Sequence, residues 1–227
     1  MEHYTEFLPI SRADMEARGW DQLDFVVVGG DAYVDHPSFG TAIISRLLEA
    51  EGYKVGVLAQ PRYTDCEDFK RFGKPKYGFF IGGGNVDSMV SHYSVAKIPR
   101  AEDEYSPGGK GGARPDRSAT VYTRLAKQAY PDLPVILGGL EASLRSFAHY
   151  DYWLDTVLPS IAEDSGADII SFGMGEHQTV EIARRLAAGE PVESITDVDG
   201  TCYLTDFDHL PERYVECAGF RKVASDK

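Results

Sequence analysis

The sequence predicts an α/β protein of the doubly wound, Rossmann-like class, with a mostly parallel sheet of five or six strands. Four short apolar stretches run directly into glycine: FVVVGG at 25–30, FFIGGG at 79–84, VILGG at 135–139 and IISFGMG at 169–175. Buried parallel strands that end at one edge of an α/β sheet have this pattern. Helix-like segments alternate with these stretches, so the order implies right-handed crossovers with helices on both faces.

The predicted elements alternate regularly in the first half of the chain. Residues 1–20 form an N-terminal lead-in with a short helix, because Ser11 and Asp14 give an N-cap pattern and Gly19 a stop. The pattern then predicts a strand at 24–28, a helix capped by Ser38 and ended by Gly52, a strand at 54–59, a short helix at 65–72, a strand at 77–81 and a helix at 85–95.

A long loop interrupts this alternation at 98–117, where three prolines and four glycines leave no apolar period. The loop is expected to be mobile, and two interpretations stay open: a flap over the binding crevice, or a disordered insertion. Beyond it, the pattern predicts a helix at 118–130, a strand at 135–137, a helix at 141–147, a strand at 168–172, a helix at 176–188 and a short sixth strand at 202–205. The Rossmann-like domain therefore spans 21–205, and 206–227 form a linker.

Composition excludes several classes of function. The 227 residues carry a formal net charge of -13, which opposes binding to a nucleic-acid phosphate backbone. No apolar run is long enough to cross a bilayer and no basic stretch leads into one at the N-terminus, so a cytoplasmic protein is expected, without a membrane partner. The three cysteines, Cys66, Cys202 and Cys217, are too far apart for a CxxC motif or a cluster held by this chain alone.

Polar residues follow the glycine turns and are expected to meet in one crevice at the sheet edge. Asp31 and Asp35 repel each other unless a positive group lies between them, so a divalent ion held with His36 is one candidate. The alternative is an ordered loop in which Asp31 caps the turn. The full set of candidate ligand-binding residues is Asp31, Asp35, His36, Gly83, Gly84, Asn85, Gly138, Gly139, Glu141, Gly175 and Glu176.

Three further motifs have both a functional and a structural interpretation. The GGGN turn at 82–85 offers backbone N–H groups to a phosphate or carboxylate, but the acidic Asp87 breaks a dinucleotide fingerprint. Glu141 either faces the crevice or forms a local ion pair with Arg145, four residues away. The run HYDYW at 149–153 either stacks on a planar ligand or a partner domain, or closes the core.

Taken together, the segments GDAYVDHPSFG, RPDR, PVILGGLEASLR, AHYDYW and FGMGE resemble the N-terminal region of the YgiQ family of radical SAM proteins. The resemblance extends from about Phe7 to about Thr205. It departs at Ser146, where the family tends to have a second arginine, and this argues against a paired basic site.

The resemblance implies an α/β region similar to the cobalamin-binding domains of other radical SAM enzymes, followed by a catalytic barrel. In the family that barrel holds a CxxxCxxC motif whose thiolates ligate a [4Fe-4S] cluster, and the open iron of the cluster binds S-adenosylmethionine. No such motif occurs here, so the cofactors are expected in a longer protein, with 206–227 leading toward a barrel outside this chain. Cobalamin is not expected, because His36 directly follows Asp35 and departs from the DxHxxG pattern of cobalt-ligating domains.

The sequence thus predicts the N-terminal accessory domain of a radical SAM enzyme of unknown substrate, which positions substrate or an auxiliary ligand. Two alternatives stay open. One is a non-catalytic docking domain that meets the barrel through the aromatic run at 149–153. The other is a self-contained metal-dependent hydrolase that uses Asp31, Asp35 and His36.

Overall fold

The computed structural model describes residues 7–206, 208, 210 and 212–225. Its strands are β1 (Phe25–Gly29), β2 (Val55–Ala59), β3 (Gly78–Gly82), β4 (Val135–Gly138), β5 (His149–Asp151), β6 (Thr156–Leu158), β7 (Ile169–Ser171) and β8 (Thr201–Cys202). Its α-helices are α1 (Arg12–Ala17), α2 (Gly40–Ala50), α3 (Ser88–His92), α4 (Ser118–Ala129), α5 (Gly139–Leu144), α6 (Ile161–Ser165), α7 (Glu176–Ala187) and α8 (Phe220–Ser225). Short 3-10 turns occupy Glu67–Lys70, Pro107–Gly109 and Val192–Ser194.

Six strands form one sheet in the order β2-β1-β3-β4-β7-β8, which confirms the predicted fold class. The first five are parallel, and Val28 of β1 pairs with Leu58 of β2 and Ile81 of β3. The edge strand β8 is antiparallel and pairs Cys202 with Ile170. The chain runs from β1 to β2 on one side and then returns past β1 to β3 on its other side. This reversal of direction makes a topological switch point at β1.

Apolar side chains on both faces of the sheet make two cores, as a doubly wound fold requires. Val26, Val28 and Phe79 point to one face, where Tyr122 of α4 and Phe69 pack against them. The opposite face carries Phe25, Val27, Phe80, Ile136 and Ile169, covered by Leu48 of α2 and Ile182, Ala183 and Leu186 of α7. Alternate residues of one strand therefore serve different cores.

Several predicted boundaries were wrong for local reasons. Ser38 does not cap α2, which begins at Gly40 after an extended Phe39. The helix expected at 85–95 is only α3, because Asp87 caps its first turn and Tyr93 is extended. The segment expected as a helix at 65–72 contains a four-residue 3-10 turn.

The second half of the chain also differs in detail from the prediction. The helix expected at 141–147 is α5, which begins at Gly139 and ends at Leu144. The β5–β6 hairpin was not predicted, because HYDYW has no clear alternation of apolar and polar residues. The sixth strand is shorter than expected and lies at 201–202. Within the predicted linker, α8 is described, whereas 207, 209, 211, 226 and 227 lie outside the described residues. No described helix is long and apolar enough to span a membrane.

Candidate functional site

A cavity of about 200 Å³ opens at the carboxyl edge of the sheet, on the face that α2 and α7 cover. Its floor is made by residues from the ends of four neighbouring parallel strands, including Val28, Ile81, Ile136 and Ser171. Its walls come from Thr41, Ile43 and Ile44 of α2 and from Thr179 of α7. Doubly wound proteins bind ligands at this edge, and the mainly apolar walls suit an apolar part of a ligand.

Glycine turns keep the mouth of the cavity open. Gly82 ends β3 and Gly84 follows it, Gly138 ends β4 and Gly139 follows it, and Gly173 and Gly175 follow β7. A methyl group on Gly175 would lie 2.9 Å from Oγ of Ser171, so a larger residue there cannot fit without displacement. The backbone itself therefore forms much of the entrance.

Ser171 is a potential ligand contact that the sequence analysis missed. Its side chain is buried, with 4% of the residue exposed, and its Oγ has no hydrogen-bond partner among the described residues. A buried hydroxyl without a partner is unfavourable, and Ser171 belongs to the cavity lining, so its Oγ can bond a polar ligand atom once a small local shift uncovers it. One signal was available in the sequence: Ser171 is the polar residue at the end of the apolar run of this strand and directly precedes the FGMG turn.

Asp31 lies beside the cavity but binds Arg114 and is not in the lining. Its Oδ1 accepts from Nη1 of Arg114 at 2.9 Å, and its Oδ2 accepts from the backbone N of Asn85 at 2.7 Å. Arg114 in turn donates twice to Asp103 through Nη2, at 2.7 Å, and once through Nε, at 2.9 Å. Burial raises the pKa of Asp31, although the bonds from Asn85 and Arg114 oppose this effect.

This buried ion triad ties the segment 98–117 to the loop after β1. The backbone N of Ala32 also donates to the carbonyl of Tyr105 at 2.8 Å, and Nε2 of Gln60 donates to Oγ of Ser106 at 2.7 Å. Whether the segment moves stays a prediction, but the described conformation has specific anchors on the loops that follow β1 and β2. Arg114 was not singled out from the sequence, because its loop has no periodicity that would mark a buried position.

The glycines after β3 allow this triad to form. Gly84 has φ of +114°, and a methyl group there would lie 2.4 Å from Oδ1 of Asp31 and 2.6 Å from Nη1 of Arg114. Gly83 approaches Glu141 and Ser118 in the same way, at 2.8 and 3.1 Å from their side-chain oxygens. The GGGN turn therefore serves close packing around buried charges.

Asp35 and His36 lie away from the cavity lining. Asp35 accepts from Nε of Arg46 at 3.0 Å, and this hydrogen bond lowers the pKa of Asp35. His36 is exposed, and its Nδ1 accepts from the backbone N of Ser38 at 3.1 Å. Asp31 and Asp35 thus face different arginines, and the described residues contain no group of three His, Cys, Asp or Glu side chains that could hold a metal ion. This arrangement gives the metal-dependent hydrolase no support.

Glu141 is fully buried and connects two helices. Its Oε2 accepts from the backbone N of Ser88 in α3 at 3.0 Å, and its Oε1 accepts from the backbone N of Ala119 in α4 at 3.0 Å. It is not in the cavity lining. Of the two interpretations left open for Glu141, the local ion pair with Arg145 was wrong, because Arg145 pairs with Asp87, and the side chain does not line the crevice either.

Six of the predicted residues do meet at the cavity: Gly84, Asn85, Gly138, Gly139, Gly175 and Glu176. Asn85 lies between β3 and α2, where its Oδ1 accepts from the backbone N of Gly40 at 3.3 Å and its Nδ2 donates to the carbonyl of Ser38 at 3.0 Å. Their binding of a ligand stays a prediction. Asp31, Asp35, His36, Gly83 and Glu141 support the surrounding loops.

Comparison with known proteins gives one family match and several close relatives. The model of the family described as Radical SAM N-terminal matches residues 7–227. A UPF0313 protein of Clostridium botulinum (strain Loch Maree / Type A3) is 54% identical over 223 residues, which are 98% of this chain and 34% of that protein. A UPF0313 protein of Clostridium perfringens (strain 13 / Type A) is 51% identical, with the same coverage of 98% and 34%. The chain therefore spans about a third of the length of these relatives.

Two solved structures of TsrM, a radical S-adenosylmethionine methyltransferase from Kitasatospora setae, are similar in fold. One contains a tryptophan substrate and a SAM analogue, and it matches with a TM-score of 0.53 and 17% identity over 80% of this chain and 28% of that one. The other contains cobalamin and a [4Fe-4S] cluster, and it matches with a TM-score of 0.52 and 18% identity over 80% and 27% of the two chains.

Proposed function

Because this chain belongs to the Radical SAM N-terminal family, we propose that it is the accessory ligand-binding domain of a radical SAM enzyme. Its ligand enters the cavity between α2 and α7. The single observation that carries this proposal is a mainly apolar cavity at the carboxyl edge of the sheet, with the unpartnered hydroxyl of Ser171 in its lining. In this proposal the cluster and S-adenosylmethionine belong to a barrel outside this chain, and the relatives, about three times as long as the chain, have room for one.

The residues of this chain do not fit a [4Fe-4S] cluster. Cys66 is buried, Cys202 half-buried and Cys217 exposed, and no described group of three His, Cys, Asp or Glu side chains could hold a metal. The domain therefore contributes binding and orientation, and we derive no cluster chemistry from it. Its role is to hold a ligand at the sheet edge and to exclude water from the buried part of that ligand.

A corrinoid is the first ligand to test. Cobalamin was not expected from the sequence, but one of the similar TsrM structures contains it. The cavity of about 200 Å³ is too small for the corrin macrocycle, but its apolar walls from Ile43, Ile44 and Ile136 suit a bicyclic aromatic base such as the one that the corrinoid carries on its nucleotide tail. A bound corrinoid supplies cobalt chemistry. His36 lies outside the cavity lining, so the proposal assigns it no bond to cobalt.

Titration of the full chain with hydroxocobalamin tests this proposal by calorimetry. The variant Ile43→Trp fills the cavity from α2, whereas Leu47→Trp adds the same side chain to the same helix outside the lining. We expect saturable binding to the natural sequence and to Leu47→Trp, and at least about a tenfold loss with Ile43→Trp, which corresponds to about 1.4 kcal/mol. Equal binding by both variants would contradict the site.

Docking onto the barrel is a second candidate function, favoured by one specific observation. Large apolar side chains are exposed on α5 and around the β5–β6 hairpin, among them Leu144 at 62%, Phe147 at 74% and Leu154 at 56%. Exposed apolar groups of this kind mark interaction surfaces. We expect self-association of the chain by analytical ultracentrifugation, and we expect Leu144→Ser with Phe147→Ser to reduce it. A monomer at every concentration would contradict this surface.

A further inference from the structure

The carboxylate of Glu176 lies without a partner at the mouth of the carboxyl-edge cavity. Among the described residues that line the cavity, Glu176 is the one that carries a charge. The residue is half-buried, and no hydrogen bond or ion pair joins its side chain to another described residue. A carboxylate only accepts hydrogen bonds, so the mouth holds an acceptor that the described protein does not use.

The other polar side chains of the lining do not select a ligand in the same way. The amide of Asn85 already accepts from one backbone N–H group and donates to one backbone carbonyl. Oγ of Ser171 is shielded from solvent and becomes accessible only after a local shift. The hydroxyls of Thr41 and Thr179 can donate or accept, so they suit either kind of ligand group. Glu176 is therefore the side chain that distinguishes a donor from an acceptor without any rearrangement.

The surroundings of Glu176 keep this position negative. Arg114 approaches Gly84 of the lining, but the carboxylates of Asp31 and Asp103 match its charge. Glu176 is the first residue of α7, where the positive end of the helix favours the ionised carboxylate. An anionic ligand group at the mouth would therefore meet a charge of the same sign, whereas a donor would form a charge-assisted hydrogen bond.

We propose that Glu176 determines which ligands the cavity accepts, namely bicyclic aromatic groups whose exposed end carries a hydrogen-bond donor and no negative charge. This inference rests on the proposed ligand site between α2 and α7, and it adds the chemistry of the group at the mouth. A corrinoid tail meets the requirement through the ribose attached to its base, because carboxylates accept hydrogen bonds from ribose hydroxyls. An ammonium group meets it more strongly, since its charge is opposite to that of Glu176.

Three indoles of nearly equal size test the proposal by calorimetric titration of the full chain. Tryptamine, tryptophol and 3-propylindole carry an ammonium, a hydroxyl and a methyl group at the same position. We expect the natural sequence to bind tryptamine at least about tenfold more tightly than 3-propylindole, the gain expected for a hydrogen bond to a charged group. Tryptophol should lie between them. Indole-3-propionate, which brings a carboxylate to the mouth, should bind most weakly.

Two variants assign the preference to Glu176. Glu176→Gln keeps the size of the side chain and removes its charge. It should weaken tryptamine by about threefold to fivefold and strengthen indole-3-propionate, while 3-propylindole keeps its affinity. Glu181→Gln is the matched control, because it removes the same charge from the same helix outside the lining, where Glu181 pairs with Arg184. It should leave the order of the four affinities unchanged.

The outcomes separate this inference from the site on which it rests. Equal binding of all four probes, or an unchanged preference in Glu176→Gln, would mean that Glu176 only stabilises the start of α7, and the inference would be wrong. The site itself would stand in that case if Ile43→Trp weakens 3-propylindole. If no probe binds the natural sequence, the site is contradicted and the inference falls with it.

Discussion

The carboxylate of Glu141 accepts hydrogen bonds from the first turns of both α3 and α4, so its role is structural. Replacement by alanine leaves the buried backbone N–H groups of Ser88 and Ala119 without their partner. We expect Glu141→Ala to lower the free energy of unfolding by about 2–5 kcal/mol, measured by urea denaturation. Glu176→Ala, which removes a half-buried carboxylate at the cavity mouth, should change it by less than about 1 kcal/mol. A small, equal effect of both changes would contradict the assigned role of Glu141.

Gly84 is a second position where one residue decides local packing. Alanine there would meet Asp31 and Arg114 and would also have to adopt φ of +114°. We expect Gly84→Ala to destabilise the fold by about 2–4 kcal/mol in thermal or urea unfolding. Gly112→Ala is the matched control, because Gly112 also has positive φ, +91°, but no atom within 4 Å of the added methyl group. Its cost should be about 1 kcal/mol. If both variants lose the same free energy of unfolding, the contacts between residue 84 and the ion triad contribute nothing to stability.

At the scale of elements, Arg114 joins the segment 98–117 to β1. Replacement by methionine leaves Asp31 and Asp103 buried without a counter-charge. Breaking a buried ion pair in this way lowers the free energy of unfolding by about 3–5 kcal/mol. Glu104 is exposed, but the anchored segment resists cleavage next to it. We expect a glutamate-specific protease to cleave Arg114→Met after Glu104 at least about tenfold faster than the natural sequence. Lys110→Met, in the same segment but exposed, should be cleaved at the natural rate. Unchanged cleavage of Arg114→Met would contradict the anchoring role.

The parallel strands were predictable because each is a short apolar run, and four of the five lead into a glycine turn; β2 instead ends at Ala59, before Gln60 and Pro61. The cavity edge was predictable for the same reason, and Gly84, Asn85, Gly138, Gly139, Gly175 and Glu176 do line it. The direction of side chains such as Asp35 and Glu141 was not predictable. It depends on distant partners, Arg46 for the first and the N-termini of α3 and α4 for the second, which no local spacing reveals.

At the scale of the whole molecule, ion pairs between loops govern the response to acid. The hydrogen bond from Arg46 lowers the pKa of Asp35. Burial raises the pKa of Asp103, but the hydrogen bonds and charge of Arg114 outweigh burial, so the pKa of Asp103 is also lowered. The unfolded chain then binds more protons than the folded chain below about pH 4, so stability falls as pH falls there. Asp31, whose pKa is raised, opposes this trend. We expect a plateau above about pH 5 and a steep loss below about pH 4 in urea unfolding. Asp35→Asn should make that loss shallower, and an unchanged slope would contradict the role of this pair.

Hydrogen–deuterium exchange of the full chain with and without hydroxocobalamin tests the central claim most directly, because it locates the ligand on the fold. The account predicts slower exchange in the first turns of α2 and α7 and in the glycine turns at 138–139 and 173–175, with the hairpin at 149–158 unchanged. No protection by saturating hydroxocobalamin, or protection confined to that hairpin, would contradict a ligand site between α2 and α7.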